Sequence, residues 1–259
     1  MILCAHGYSG NGRDFDFLAR ELASDARVIC PDMAGRGQSA WMLTSLAYNF
    51  PQFLTDLRAL LARIDAPSVE WVGTSMGGIL GLLLAAERDS PISRLVLNDV
   101  GAFVPGDALA QIASNLEAPE RFESMAAFTA HLKRTHRDWG PITSEQWTHL
   151  ARHHSRKVAD GYALHYDPSI ATIARPPPFA PGLSLWSAWY RVRCPVLVIR
   201  GRTSRILPPE VLQTMLDVKP DTQHLEIADT GHAPSLMAPA QIAAVARFLE
   251  GGQDVRRAA

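Results

Sequence analysis

Short runs of apolar residues recur along much of the chain, and each is bounded by Gly, Pro or Asp. Continuous apolar runs between such turn signals are typical of strands that are buried on both faces of a sheet. The pattern predicts strands at residues 2–5, 27–30, 69–72, 94–98, 195–200 and 223–228.

Between these runs, apolar residues recur every three or four positions, which is the spacing of an amphipathic helix. This spacing predicts helices at residues 15–23, 50–64 and 76–88. Strands that alternate with helices are joined by right-handed crossovers, which produce a parallel sheet covered by helices on both faces. The sequence therefore predicts an α/β fold with a mostly parallel sheet of about six strands.

The alternation stops between residues 103 and 191. Helical spacing is found there near residues 107–116, 121–135 and 144–160, followed by a proline cluster at 175–179 and an aromatic patch at 185–190. We interpret residues 103–191, called the insertion below, as a helical cap placed between two strands of the sheet. Residues 1–102 and 192–259 then form the core.

Composition narrows the range of partners. The chain has 259 residues, a formal net charge of -1, 47% hydrophobic residues and 20% charged residues, which is typical of a soluble globular protein. Nucleic acid and anionic membranes call for a concentrated basic surface, so neither is expected as a partner. No apolar stretch is long enough for a membrane span, and the first residues lack the pattern of a secretion signal. We therefore expect a cytoplasmic protein with its three cysteines reduced in the core.

One segment points to chemistry. Gly73-Thr-Ser-Met-Gly77 follows a predicted strand and precedes a predicted helix rich in small residues. A Gly-x-Ser-x-Gly turn in this context is a nucleophile elbow, in which the serine hydroxyl is exposed at the carboxyl edge of the sheet. Ser75 is therefore the predicted nucleophile, and the N–H of Met76, at the helix start, is placed to stabilise negative charge.

Three further segments carry a resemblance to a known family. They are His6-Gly7-Tyr8 after the first strand, the loop from Pro31-Asp32 to Ser39, and Gly231-His232-Ala233-Pro234 after the last strand. With the elbow, they resemble the oxyanion loop, the D-x-x-G-x-G-x-S loop and the histidine loop of the alpha/beta-hydrolase superfamily, in its serine branch with a helical cap. Nearly the whole chain is covered, except for a hairpin that many members place before the first strand.

The resemblance implies roles for several residues. The N–H of Tyr8 would be the second oxyanion donor, and His232 would be the general base for Ser75, because a serine hydroxyl needs a base within hydrogen-bond reach. His6 is expected to be structural. Without the leading hairpin the sheet would have an exposed edge, at which two copies of the chain could pair as a homodimer.

The third member of the triad departs from the family pattern. Most members place the acid in the turn after the strand that ends here at Arg200, but Arg205 stands where the aspartate is expected. Asp99 is the best substitute, because it lies at the carboxyl end of the strand next to the nucleophile's strand, and some members draw the acid from there. Asp229, Asp32 and a Ser–His dyad without an acid remain alternatives.

No metal or cofactor is expected. His149 and His153 have the i, i+4 spacing of a metal site and His154 adjoins them, but no third ligand follows at a suitable spacing. The large aromatic residues of the insertion are expected to form its core, with a few lining an apolar substrate pocket. They are Phe103, Trp139, Trp147, Phe179, Trp186 and Trp189.

These observations predict a serine hydrolase that cleaves a small, apolar ester, thioester or lactone through an acyl-enzyme. Serine at position 75 argues against the family branches that use an aspartate nucleophile, the haloalkane dehalogenases and epoxide hydrolases. A carbon–carbon bond hydrolase of aromatic ring-cleavage products and an enol-lactone hydrolase are the enzymatic alternatives. A catalytically weak homologue that binds a ligand in the capped pocket is the alternative from another class.

Overall fold

The computed structural model of the chain describes residues 1–116, 121–174 and 180–252. Its strands, in chain order, are β1 (Ile2–Ala5), β2 (Val28–Ile29), β3 (Val69–Thr74), β4 (Ile92–Asn98), β5 (Phe103–Pro105), β6 (Ser155–Val158), β7 (Gly161–Leu164), β8 (Gly182–Ser184), β9 (Val196–Gly201) and β10 (Gln223–Ile227). Its helices are α1 (Asp16–Leu22), α2 (Phe50–Ile64), α3 (Met76–Ala85), α4 (Gly106–Asn115), α5 (Met125–Thr135), α6 (Ser144–His154), α7 (Ser169–Ala174), α8 (Trp186–Arg191), α9 (Pro209–Val218) and α10 (Pro239–Leu249).

Six of the strands form one sheet, in the spatial order β10-β9-β4-β3-β1-β2, and every pairing in it is parallel. The predicted parallel sheet of six strands is therefore confirmed. The chain runs from β1 outward to β2 and then returns to the other side of β1 with β3. Ligand sites of open α/β sheets lie at the carboxyl ends of the strands, where the strand order reverses in this way.

Alternate residues of the central strands point to opposite faces of the sheet, and each face is covered by its own helices. On one face, Leu95 and Leu97 of β4 belong to a core that also contains residues of α2, α3, α8 and α9. On the other face, Val96 belongs to a core completed by α1 and α10. This alternation explains why the strands read as continuous apolar runs in the sequence.

The helix α2 has the predicted bounds, and its ends explain them. Asn49 caps the amino end by accepting a hydrogen bond from the N–H of Gln52, and a proline follows within the first turn. Asp65 ends the helix in the left-handed conformation, with φ of 52°. The amphipathic pattern therefore coincides with the capping signals at both ends.

Residues 103–191 contain the predicted helices, but two of them are shorter than expected: α5 begins at Met125 rather than at residue 121, and α6 ends before residue 160. The chain leaves α6 at His154 and forms the antiparallel hairpin β6–β7, so the prediction of a helix up to residue 160 was wrong. Gly161, which has a φ of 138°, follows Asp160 at the turn of this hairpin. The two residues of the turn are Ala159 and Asp160, which join Val158 to its partner Gly161. A Cβ atom on Gly161 would collide with the backbone carbonyl of Phe122, so glycine is required where the second strand begins.

The insertion has a small hydrophobic core of its own. Phe128 and Leu132 of α5 pack with Leu150 of α6. Met237, from the loop before α10, completes this cluster. Trp139 and Trp147 pack against this cluster, but Phe103, Trp186 and Trp189 belong to the core on the sheet instead, so their expected place in the insertion core was wrong. Phe179 and the proline cluster at 175–179 lie outside the described residues.

The three cysteines carry free thiols, as expected. Cys4 is buried in β1, whereas Cys30 and Cys194 are only half-buried. Among the described residues, no helix combines the length and the apolar character needed to cross a membrane.

Candidate active site

Ser75 lies at the sharp turn between β3 and α3. Its backbone has φ of 52° and ψ of -116°, a conformation that L-residues adopt at a cost. A Cβ atom on Gly77 would collide with the carbonyl of Ala5, and one on Gly73 would collide with the backbone of Gly77. The two glycines are therefore required by close backbone contact, and the turn that they permit presents the serine side chain at the end of the sheet.

Ser75, His232 and Asp99 form a continuous hydrogen-bonded chain. The Nε2 atom of His232 lies 2.8 Å from Oγ of Ser75, and its Nδ1 atom lies 2.7 Å from Oδ2 of Asp99. Because a carboxylate only accepts hydrogen bonds, Asp99 favours the tautomer with its proton on Nδ1. Nε2 is then free to accept the proton of the serine hydroxyl, which is the arrangement of a Ser–His–Asp triad.

Asp99 is fully buried and its carboxylate is held from the turn after β9. The N–H of Gly201 donates to Oδ1 at 2.8 Å, and the hydroxyl of Ser204 donates to Oδ2 at 2.5 Å. Arg205, in contrast, is exposed and pairs with Asp107 on the surface. The turn in which the family pattern places an acid therefore supplies hydrogen-bond donors to the acid of the neighbouring strand.

Strand register brings the predicted nucleophile and the predicted acid together. Thr74 of β3 is paired with Asn98 of β4, and the N–H of Ser75 donates to the carbonyl of Asn98 at 3.0 Å. The side chain of Asn98 donates to Thr74 Oγ1 and to the carbonyl of Pro234, two residues beyond His232. The histidine loop is thus tied to the ends of the two strands that carry Ser75 and Asp99.

The loop after β1 lies beside the serine. A Cβ atom on Gly7 would be 3.6 Å from the Cβ of Ser75, so the backbone that leads to Tyr8 passes at van der Waals distance from the nucleophile. His6 holds this loop: its Nε2 accepts from the N–H of Met33 and its Nδ1–H donates to the carbonyl of Gly7. Burial lowers the pKa of His6 to about 4, so the ring is neutral and structural, as expected.

A buried arginine lies behind the same loop. The guanidinium of Arg36 donates to the carbonyls of Tyr8 and Ala34, and its Nη2 lies 3.9 Å from the sulfur of Met76. It is fully buried among the rings of Tyr8, Tyr48 and Phe53, and burial lowers its pKa to about 10. At neutral pH a positive charge therefore contacts both residues that are predicted to donate to the oxyanion.

A single cavity joins these residues to the insertion. Ser75, His232 and Tyr8 line one part of it, and residues of α4, α5, α6 and β7 line the rest. Its apolar lining includes Ile112, Leu116, Leu132, Trp139, Leu164 and Met237. Trp139 is therefore one of the insertion aromatics that reach the pocket.

The wall contributed by the insertion also carries imidazoles, which the expected apolar pocket did not include. His154 forms a partly buried hydrogen bond with Asp14, with Nε2 and Oδ1 2.5 Å apart. Burial lowers the pKa of His136 to about 3, and it also lowers that of His131. Two neutral imidazoles and one paired imidazole thus make this wall suitable for polar groups of a substrate.

The other acidic candidates lie outside the triad. Asp32 accepts hydrogen bonds from the N–H groups of Gly12 and Gln38, so it holds its own loop. Asp229 is exposed and has a φ of 52°. The sequence spacing offered no third metal ligand for His149 and His153 of α6, but the fold places one beside them, the carboxylate of Asp16 in α1.

Comparisons with known proteins agree with this architecture. A family model described as alpha/beta hydrolase fold matches residues 1–239. A 3-hydroxybutyrate-oligomer hydrolase of Cupriavidus necator is 39% identical, over 97% of this chain and 88% of that protein.

Two solved structures extend the likeness to three dimensions. The structure of a protein from Rickettsia typhi is 32% identical with a TM-score of 0.90, covering 96% of this chain and 86% of that one. An alpha/beta hydrolase from Novosphingobium aromaticivorans is 35% identical with a TM-score of 0.87, covering 96% and 88%.

Proposed function

The chain belongs to the alpha/beta-hydrolase family, and from this premise we propose that it is a serine hydrolase that cleaves carboxylic esters through an acyl-enzyme. The family match and the ester-hydrolase relative support a hydrolase of this fold. The observation that carries the finer proposal is the hydrogen-bonded chain from Ser75 through His232 to Asp99.

In the proposed reaction, Oγ of Ser75 attacks the ester carbonyl carbon while Nε2 of His232 takes the hydroxyl proton. The N–H groups of Tyr8 and Met76 donate to the oxyanion that develops on the carbonyl oxygen. The tetrahedral intermediate collapses, the alcohol leaves with the proton from His232, and the acyl group stays on Ser75. Water activated by His232 then attacks this ester and releases the acid.

Asp99 would act through His232. Its carboxylate fixes the tautomer of the imidazole and stabilises the imidazolium that forms during attack. Because Asp99 is buried and also accepts from Gly201 and Ser204, its charge is held in place before the reaction begins. Preorganised charge of this kind needs no rearrangement in the transition state.

We extend the proposal to the substrate class. A relative named as a 3-hydroxybutyrate-oligomer hydrolase and an imidazole-bearing cavity wall both favour a small ester with a second polar group, such as an ester of a short hydroxy acid. The apolar residues of the cavity would hold the short carbon chain. His131 and His136 would face its hydroxyl or carbonyl groups.

Residues 103–191 would act as a cap over the core formed by residues 1–102 and 192–259. Two contacts support this arrangement. The backbone carbonyl of Asp138 accepts from the N–H of Gly231, next to His232, and the side chain of Gln146 donates to the carbonyl of Met237. The insertion therefore touches the histidine loop directly. A cap in this place would shield the acyl-enzyme and select the substrate.

The decisive experiment compares two aspartates. Wild type, Ser75→Ala, Asp99→Asn and Asp229→Asn are assayed with p-nitrophenyl acetate and butyrate and with a 3-hydroxybutyrate dimer. Asp99 and Asp229 both have a φ near 50° that asparagine tolerates, so the two substitutions are matched in backbone cost. We expect Ser75→Ala to reduce turnover to background and Asp99→Asn to lower kcat by about ten-thousand-fold. Asp229→Asn should leave kcat unchanged.

Circular dichroism checks that each variant is folded. Equal activity of Asp99→Asn and Asp229→Asn would refute the assignment of the acid. Failure of wild type to hydrolyse esters, together with failure of a fluorophosphonate to label Ser75, would refute the serine hydrolase. A coloured ring-cleavage dienoate, assayed in parallel, separates the carbon–carbon bond hydrolase from a protein that only binds its ligand.

A further inference from the structure

We propose that Asp16, His149 and His153 form a zinc site on the outside of the molecule, which joins α1 of the core to α6 of the insertion. One potential ligand atom from each of the three side chains lies within 4.8 Å of the other two. None of the three lines the cavity above Ser75, so the site is separate from the proposed triad. It does not depend on the proposed ester hydrolysis.

The donor set suits zinc. Two imidazole nitrogens and one carboxylate oxygen, with water in the fourth position, form a tetrahedral environment that Zn²⁺ accepts. His149 and His153 are four residues apart on α6, and their ring centroids are 4.5 Å apart. Nε2 of His149 lies 3.5 Å from Oδ2 of Asp16, a spacing suited to two ligands of one tetrahedral ion. Magnesium prefers six oxygen ligands and does not fit this set.

The two helices are already held in the geometry that the site needs. The side chain of Asn11, which caps the short 3-10 turn (Gly12–Phe15) leading into α1, donates to the carbonyl of His153 at 3.1 Å. The hydrogen bond between Asp14 and His154 joins the same two segments. Little conformational freedom is therefore lost when an ion binds.

One side chain competes with the ion. Arg13 is exposed and its guanidinium donates to Oδ2 of Asp16, the oxygen nearest to His149. Nε2 of His149 also donates to the backbone carbonyl of Arg13 at 2.9 Å. Zinc would replace both interactions, and because the ion pair is exposed it is a weak competitor. Removal of the Arg13 side chain should therefore strengthen zinc binding, whereas removal of any of the three ligand side chains should weaken it.

The test is calorimetric titration of the whole chain with ZnCl₂ and, in parallel, with MgCl₂. We expect one zinc per chain in wild type, and affinity at least about tenfold weaker in Asp16→Asn, His149→Ala and His153→Ala, since even residues that only support metal ligands cost this much when lost. Arg13→Ala should bind zinc more tightly. Thr148→Ala, an exposed change on α6 that alters no charge or ligand, should bind like wild type.

A second readout follows the folded state. Zinc at about a hundred times its dissociation constant should raise the melting temperature of wild type by roughly 5 °C, because the unfolded chain lacks the assembled site. Magnesium should have no effect. Absence of zinc binding, or zinc binding that the three ligand variants do not weaken and Arg13→Ala does not strengthen, would overturn the proposal.

Discussion

At the scale of single residues, Ser204 and Arg205 are neighbours with different surroundings. Ser204 is buried and donates to the carboxylate of Asp99, whereas the Arg205 side chain is 67% exposed and pairs with Asp107. A hydrogen bond to a buried charge contributes far more than an ion pair in water. Ser204, the neighbour of the position where the family pattern places an acid, is therefore the residue that holds the carboxylate of Asp99 in the proposed triad.

We expect Ser204→Ala to lower the free energy of unfolding by about 1.5–3 kcal/mol, because the buried carboxylate of Asp99 loses a hydrogen-bond donor. It should also lower kcat by roughly tenfold, which corresponds to about 1.4 kcal/mol of activation free energy, because His232 is held less firmly. Urea unfolding and p-nitrophenyl butyrate kinetics measure the two effects. Arg205→Ala, as the control, should change stability by less than about 0.5 kcal/mol. Equal effects of the two substitutions would contradict this assignment.

The extent to which the site could be predicted from the sequence depends on how far its contacts reach along the chain. Ser75 was predictable because its two glycines adjoin it, and Asp99 because parallel strands align their carboxyl ends. Ser204, Arg36 and Asp16 could not be singled out, since the contacts of each are with residues from distant segments. Such contacts become visible only when the fold is known.

At the scale of elements, the turn between β3 and α3 depends on two different kinds of glycine contact. A Cβ atom on Gly77 would meet the backbone carbonyl of Ala5, which is fixed in the sheet. On Gly78 it would meet the side chain of Val100 first, at 2.5 Å. A side chain can shift, but a strand in the middle of a sheet cannot do so without disturbing its neighbours.

We therefore expect Gly77→Ala to lower the free energy of unfolding by about 1–3 kcal/mol and Gly78→Ala to lower it distinctly less. Alanine has a higher helix propensity than glycine at both positions, so the difference between them reports the clash with the backbone of Ala5. Gly77→Ala should also slow the labelling of Ser75 by a fluorophosphonate, since the turn must open. Urea unfolding and timed labelling test the order. If Gly78→Ala were the more harmful change, backbone contact would not be the reason for the glycine.

The hairpin β6–β7 shows why element boundaries were harder to predict than elements. Residues 144–160 have helical spacing, and the first eleven of them do form α6. Beyond His154 the strands pair with each other, and the two-residue turn Ala159-Asp160 reverses the chain. Hydrophobic spacing alone cannot distinguish a helix that continues from a short hairpin that packs against it.

At the scale of the whole molecule, buried histidines link stability to pH. Burial lowers the pKa of His6 to about 4 and that of His136 to about 3, whereas both have values near 6.5 when unfolded. Between these values the unfolded chain binds protons that the folded chain does not bind. The free energy of unfolding should therefore be intact above pH 6.5 and should fall as the pH drops toward 4.

Each of these histidines should contribute a slope of about 1.4 kcal/mol per pH unit within that window. His136→Gln keeps a polar side chain but cannot take up a proton, so the slope of unfolding free energy against pH should decrease by that amount. Urea unfolding between pH 4.5 and 6 measures it. A slope unchanged by the substitution would mean that His136 is protonated in the folded protein.

The position of Asp99 at the end of β4 also determines which parts of the sequence can change by evolution or by design. Ser75 and Asp99 lie at the ends of two strands joined by direct hydrogen bonds, so their separation is set by the spacing of the sheet. The turn after β9 supplies no reacting group, only the N–H of Gly201 and the hydroxyl of Ser204. Arg205 is the exposed residue of this turn, so its charge can change without moving Ser75, His232 or Asp99, whereas the buried Ile206 and Leu207 donate to Ser204 and hold the length of the turn fixed.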